Sequence, residues 1–425
     1  MSADAPGDAE PSGGATRRAL LLGGGALGVA GAATATWAAA RTGTGDADDA
    51  ATSGPRAGAQ APPGASATVA FHGRHQPGVT TLPAQSHAHF VALDLRRGST
   101  RADLLRLMRL LTDDAARLME GRSPLAADEP ELAGLPSRLT VTVGFGAGVF
   151  DLLERGADCP PVVRDMPAFA TDRLEERWSG GDVLLQVCAD DPVPVSFAIR
   201  RLVRDAREVA TVRWSQRGFG PARGSEPFGT TPRNLMGQRD GSANPRPGAE
   251  ADAVVWAGEQ APDWYRDGTT LVLRRIRMDL DTWDDLDRFT KEIAIGRRLS
   301  DGTPLTGGDE FAVPDPTATG ADGLPVLDPK THAVLARHRD ASERMLRRGY
   351  SYDDGPGPDG RVDAGLLFAA FQPDAAAAFV AVQRRLAAAD ALNTWTTHVG
   401  SAAFVIPPGC APGEVLGQSL IGARA

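Results

Sequence analysis

The sequence predicts an α+β protein built from two βαββαβ halves, the ferredoxin-like arrangement of antiparallel sheets and helices. Three observations predict it. Between residues 89 and 214, stretches of strand character flank two segments of helical spacing, in the order strand, helix, strand, strand, helix, strand. Residues 269–406 repeat most of that order. The chain has 425 residues, 42% of them hydrophobic and 23% charged, enough for two packed domains of ordinary globular composition.

Taken in order, the folded region begins near Val69 and its first strand is His89–Leu95, where apolar and polar residues alternate. Thr100 to Gly121 carries Leu104, Leu107, Met108, Leu111 and Leu118 at helical spacing, with Thr100 as N-cap. Leu139–Phe145 and Asp182–Cys188 are the next strands. Val193 to Ala210 is a helix with Phe197, Ile199, Leu202 and Val203 inward, and a fourth strand begins at Val212. In the second half, Thr269–Leu280 is a strand, Trp283–Gly296 a helix, Gly365–Phe371 a strand, Asp374–Ala388 a helix and Ser401–Ile406 the last strand. The two domains are expected over 68–222 and 223–425. An insertion over 297–364 interrupts the second, and so long a connection in a compact domain is usually functional.

Ahead of this body, Arg17-Arg18 leads into an Ala- and Gly-rich apolar run that ends at Ala38-Ala39-Ala40. Two readings stand. The run is long enough to span a bilayer. Its low content of Leu, Ile and Phe, its basic pair and its small-residue end favour a twin-arginine export signal over 1–40. Residues 41–67 read as a disordered linker. The expected location is therefore periplasmic, extracellular or in the cell envelope, with the twin-arginine machinery as a partner. A net charge of −9 gives nucleic-acid binding no support. Cys159, Cys188 and Cys410 are far apart, so thiolate metal sites are not expected, and no disulfide is predicted.

Residues 234–245 read Asn-Leu-Met-Gly-Gln-Arg-Asp-Gly-Ser-Ala-Asn-Pro, with Asp240 in a Gly-x-x-Asp-Gly pattern from Gly237 to Gly241. Glycine permits tight bends and close backbone approach to a ligand. The pattern suits either an Asp-Gly turn or a carboxylate held at a fixed place for acid–base work.

Four segments together carry a family resemblance: Phe71-His72-Gly73-Arg74-His75-Gln76-Pro77-Gly78, Asn234 to Gly241, Asp328-Pro329-Lys330-Thr331-His332, and Leu346-Arg347-Arg348-Gly349-Tyr350-Ser351-Tyr352. Over about residues 68–408 the chain resembles the dye-decolourising peroxidases, and more narrowly an exported subgroup that includes the deferrochelatase/peroxidase of bacterial iron-uptake systems. The resemblance implies a dimeric α+β barrel type of fold around a heme pocket and one heme b per chain. It implies reduction of hydrogen peroxide with oxidation of dyes or phenols through an oxyferryl intermediate. Deferrochelatase activity, which removes iron with the porphyrin intact, and a non-catalytic heme carrier are the alternatives. A homo-oligomer and iron-uptake partners are further expectations.

By the same resemblance, His332 is the proximal ligand of the heme iron, with His338 as rival. Imidazole suits that role, and only one of the two can reach the iron if Thr331 to Arg339 is helical, since residues six apart do not share a face. Asp240 and Arg347 are the catalytic pair on the other side, with Gly241 beside them at the cofactor. Asp240 would shuttle the peroxide proton and Arg347 would stabilise the negative charge of O–O cleavage. Arg348 is adjacent and competes for that role. Some relatives place an Asn where this chain has Gly349. Trp283, Trp395, Tyr350 and Tyr352 are candidate surface exits for electrons. For His72 and His75, packing or hydrogen bonding is expected rather than iron ligation.

Overall fold

The computed structural model describes residues 64–227, 229–357 and 360–422. The expected signal over 1–40 and most of the expected linker over 41–67 lie outside the described residues.

The first half supplies strands β1 (His87–Leu95), β2 (Thr140–Phe145), β3 (Val183–Ala189) and β4 (Ala210–Phe219). They lie side by side as β4-β1-β3-β2, each pair antiparallel. Two helices, Arg101–Met119 and Pro192–Ala206, cover one face of this sheet. The first starts with a reciprocal cap: Thr100 Oγ1 accepts from the Asp103 N–H, and the Asp103 carboxylate accepts from the Thr100 N–H. Asp191 caps the second, with Pro192 at its first position. Leu104, Leu107 and Leu111 of the first and Phe197 and Leu202 of the second pack with Val91, Val141, Leu185 and Val187 of the sheet.

The second half supplies β5 (Thr269–Met278), a two-residue strand β6 (Leu346–Arg347), then β7 (Tyr350–Pro356), β8 (Val362–Gln372) and β9 (Thr396–Ile406). Its order is β9-β5-β8-β7, again antiparallel, with β6 on the far end of β8. Each half is thus the same four-stranded unit. The halves meet at two seams, Phe145 against Val405 between β2 and β9, and Phe219 against Ser351 between β4 and β7. Eight strands close into a ring. Because side chains alternate along a strand, one set fills the ring: Phe90, Leu184, Leu271, Leu273, Tyr352, Leu367, Phe371 and Phe404 are buried together. On the outer face of β5 and β8, Ile276, Leu366 and Phe368 pack with Trp283, Trp395 and Met236. Met236 brings the Gly-x-x-Asp-Gly stretch onto that face.

Strand β7 falls inside the expected 297–364 insertion and was not anticipated. Its Tyr-Ser-Tyr-Asp-Asp-Gly-Pro sequence lacks the aliphatic alternation of a strand, and its buried face is made by Tyr350 and Tyr352. The helix expected over Trp283–Gly296 is two, Leu280–Asp284 and Arg288–Ile295. Asp287 ends the first run by capping the second, its side chain accepting from the Thr290 N–H. The helix expected over Thr331–Arg339 is only His332–Leu335. The one over Asp374–Ala388 opens with a π-helical turn, Ala376–Val380, before Ala381–Ala389. Among the described residues no helix is long and apolar enough to cross a membrane. Cys159, Cys188 and Cys410 are buried and unpaired.

Candidate active site

Asp240 sits at the end of a tight hairpin. Asn234 makes the bend: its side-chain oxygen accepts from the N–H groups of Met236 and Gln238, and its carbonyl accepts from Gly237. Gly237 has φ +79°, which favours glycine. The returning arm is tied back by Asp240 N–H to Pro232 O at 2.8 Å and by an Arg233–Arg239 bridge. Gly241 then leaves at φ +138°, a backbone conformation that L side chains rarely adopt, and a Cβ there would also crowd Thr231 Cγ2 at 3.2 Å. The Asp-Gly pair is therefore the exit of the hairpin, while its turn lies at Asn234–Gly237.

The long connection braces this hairpin. Arg233 donates to the carbonyls of Leu299 and Ser300, and Ser242 Oγ donates to Glu310 Oε1 at 3.0 Å. Glu310 Oε2 lies 3.8 Å from Arg239 Nε. One carboxylate thereby holds residues on both sides of Asp240-Gly241. The connection acts as a brace for the hairpin.

Arg347 lies opposite. Its Nη2 is 4.0 Å from Asp240 Oδ1, and both side chains are only partly exposed. The rest of Asp240's carboxylate receives one long hydrogen bond, from Asn234 Nδ2 at 3.4 Å. Arg347 Nε is buried without a partner among the described residues. Arg348, next along the chain, points the other way, as neighbours on a strand do. It is tied to the first half, donating to Thr81 O at 2.6 Å and to Gln85 Oε1. Of the two arginines, the geometry leaves only Arg347 beside Asp240.

His332 is the first residue of its short helix, and the buried Thr331 before it donates to Ile293 O at 3.2 Å. Nδ1 of His332 lies 2.6 Å from Asp390 Oδ2. The other oxygen of Asp390 accepts from the Leu392 N–H at 2.9 Å. Burial pulls the imidazole pKa down, but the charge and hydrogen bond of Asp390 more than offset this, leaving it above its ordinary value. The charges of Arg347 and Asp240 also reach His332, so the three predicted residues share one electrostatic neighbourhood. With Nδ1 held by a carboxylate, Nε2 is the nitrogen left for a metal. The rival His338 lies past the end of the helix, among Arg337, Arg344 and Glu343.

The other singled-out residues are more ordinary. Tyr350, Tyr352 and Trp283 are all at most 2% exposed, so they are not surface exits. Their strand or helix position turns them inward. Trp395 alone reaches the surface, in edge contact with Trp283 at 5.2 Å between ring centroids. His72 Nδ1 meets Cys410 O, and His75 Nδ1 meets Asp267 O while its ring stacks on Trp256. Three residues of this site went unsingled by sequence reading: Asp390, Glu310 and Asn244. Asn244 lies in the 234–245 stretch, where Asn-Pro reads as a turn; the other two carry no local signal.

Residues 76–220 match the family model of the Dyp-type peroxidase N-terminal domain, and residues 231–411 that of its C-terminal domain. The chain is 41% identical over 360 residues to the dye-decolorizing peroxidase of Thermobifida fusca (strain YX), covering 81% of this chain and 83% of the relative. It is 35% identical over 360 residues to the deferrochelatase of Escherichia coli (strain K12), covering 80% and 84%. Among solved structures, the DyP-type peroxidase from Cellulomonas bogoriensis aligns with a TM-score of 0.81 at 47% identity, over 84% of this chain and 99% of that one. The duplicated barrel and both domain matches lead to one conclusion: the chain belongs to the Dyp-type peroxidase family.

Proposed function

We propose that Asp240 and Arg347 activate hydrogen peroxide beside a heme that His332 holds through Nε2. The enzyme is a peroxidase, heme is its cofactor, and its substrates are hydrogen peroxide and an organic donor. The donor set fits that cofactor: a histidine whose Nδ1 is taken by a carboxylate, and a distal guanidinium with a buried, unpartnered Nε. A bound heme would supply the redox chemistry, providing the electrons that cleavage of the O–O bond consumes.

The chain's own residues do the rest. Asp240's carboxylate accepts a proton from one peroxide oxygen and returns it to the other. Arg347 offers N–H donors and a fixed positive charge to the oxygen that leaves. Asp390 keeps the proton of His332 on Nδ1 and fixes the ring. The observation that carries the reading is the 4.0 Å separation of Arg347 Nη2 and Asp240 Oδ1. It is too long for a hydrogen bond, so both groups keep capacity for a small polar molecule. In stopped-flow mixing of heme-loaded protein with peroxide, Asp240→Ala should slow the reaction about 10²-fold or more. An unchanged rate would overturn the assignment.

The relatives named deferrochelatase motivate a second assay. Free-porphyrin fluorescence from heme-loaded protein without peroxide would support iron removal; dye bleaching that depends on peroxide supports the reading preferred here. Asp240 and Arg347 speak against a passive carrier, which needs no acid–base pair. We further propose export by the twin-arginine route, on the strength of Arg17-Arg18 and the apolar run behind it. Replacing both arginines by lysine should leave the protein in the cytoplasm of an expressing host; unimpaired export would refute this.

A further inference from the structure

We propose that Asn244 is a positioning residue that sets the reach of Arg347 toward Asp240. Strand β6 is two residues long and is paired on one edge only, with β8. Along a strand, successive residues turn their N–H and C=O groups to opposite edges. The Arg348 N–H bonds to Ala369 O of β8 at 2.8 Å, so the N–H and C=O of Arg347 face away from β8. Both are taken by one side chain. Asn244 Nδ2 donates to Arg347 O at 2.7 Å, and Asn244 Oδ1 accepts from the Arg347 N–H at 3.0 Å.

A primary amide presents a donor and an acceptor side by side, as the edge of a strand does. Asn244 thus serves β6 as a neighbouring strand one residue long. Its own backbone belongs to the Asp240 loop: Asn244 N–H donates to Gly241 O at 2.8 Å, closing a turn that begins one residue after Asp240. Among the described residues, the other polar approach between loop and strand at this point is that of Arg347 to Asp240, at 4.0 Å. The amide fixes that separation from the backbone side. Aspartate at 244 would keep the acceptor and lose the donor. Alanine would lose both and leave two backbone groups of Arg347 unpaired.

The inference rests on the reading of Arg347 as the group that stabilises peroxide, and the test separates the two. In heme-loaded full-length protein, Asn244→Ala is expected to slow the reaction with peroxide about 10- to 100-fold, the usual cost of losing an orienting partner. The donor KM should be unchanged. Fluoride affinity of the resting protein, which reports an N–H donor aimed at a bound anion, should fall by about tenfold. In an Arg347→Ala background, Asn244→Ala should have no further effect on either quantity. If Arg347→Ala reacts with peroxide like wild type, the reading of the site fails. If Arg347→Ala is slow but Asn244→Ala is not, or if Asn244→Ala slows the Arg347→Ala protein by the same factor, the positioning role fails. Asn244→Asp, nearly identical in shape, takes the place of the alanine variant if that one does not fold, with the same outcomes.

Discussion

A carboxylate oxygen 2.6 Å from Nδ1 of His332 decides which tautomer that histidine keeps. Asp390→Asn should preserve the hydrogen bond from the Leu392 N–H, since an amide oxygen remains, while removing the charge that favours a basic Nε2. We expect heme affinity to fall about 10- to 100-fold in Asp390→Asn, and His332→Ala to abolish the Soret band of a ligated heme. Titration with hemin, followed by absorbance, checks both. Equal affinity in wild type and Asp390→Asn would show that the carboxylate does not tune the ligand. His332 stood out in the sequence because a segment surrounds it. Asp390 could not, because it is 58 residues away and acts only through space. The same holds for Arg347 and Arg348. Two adjacent arginines are indistinguishable until a strand turns one to Asp240 and the other to Gln85.

Elements were legible where one face is aliphatic. The two helices of the first half and six of the eight barrel strands have such a face, and their expected spans overlap the observed ones; β4 was seen only at its start, and β7 escaped because tyrosines and glycine replace the aliphatic pattern. Amphipathic spacing also hid a feature of the helix pair. Asp114 of helix Arg101–Met119 and Asp205 of helix Pro192–Ala206 face one another across their packing. Burial, then the hydrogen bond and charge of Asp114, push the Asp205 carboxyl up to about 7. An ordinary aspartate titrates near pH 3.9. The folded state therefore holds a proton that the unfolded chain has released, and stability from this pair is lost as pH rises from about 4 to about 7. Asp205→Asn, which needs no proton to stay neutral, should melt at least roughly 2 °C above wild type at pH 8 and close to it at pH 4. A melting difference that does not grow with pH would mean that the two carboxyls do not share a proton.

At the scale of the whole molecule, the closure of the barrel was the feature that local pattern expressed least, because it depends on which strand edges meet over long sequence separations. Glycines mark both seams. Beside the β2–β9 seam, a Cβ on Gly144 would lie 2.8 Å from Ile406 Cδ1 and 2.9 Å from Phe404 Cβ. Beside the β4–β7 seam, a Cβ on Gly218 would lie 2.7 Å from Tyr350 Cβ and 3.0 Å from Leu367 Cδ1. The contacts to Phe404 Cβ and Tyr350 Cβ are closer than carbon atoms pack and lie next to the backbone, so one methyl group must shift the strand opposite. Tyr350 follows Arg347 by three residues, and the shift would pass into the segment that carries the guanidinium. Gly218→Ala should therefore cost about 1–3 kcal/mol of stability, as overpacking does, and should also slow the reaction with peroxide. Gly220→Ala is the matched control, since a Cβ there meets nothing within 4 Å. Chemical unfolding and peroxide stopped flow on the two variants check the claim. If Gly218→Ala unfolds like Gly220→Ala, the seam is looser than its atomic contacts require. If it is less stable but equally reactive, the seam holds the barrel closed without setting the position of Arg347.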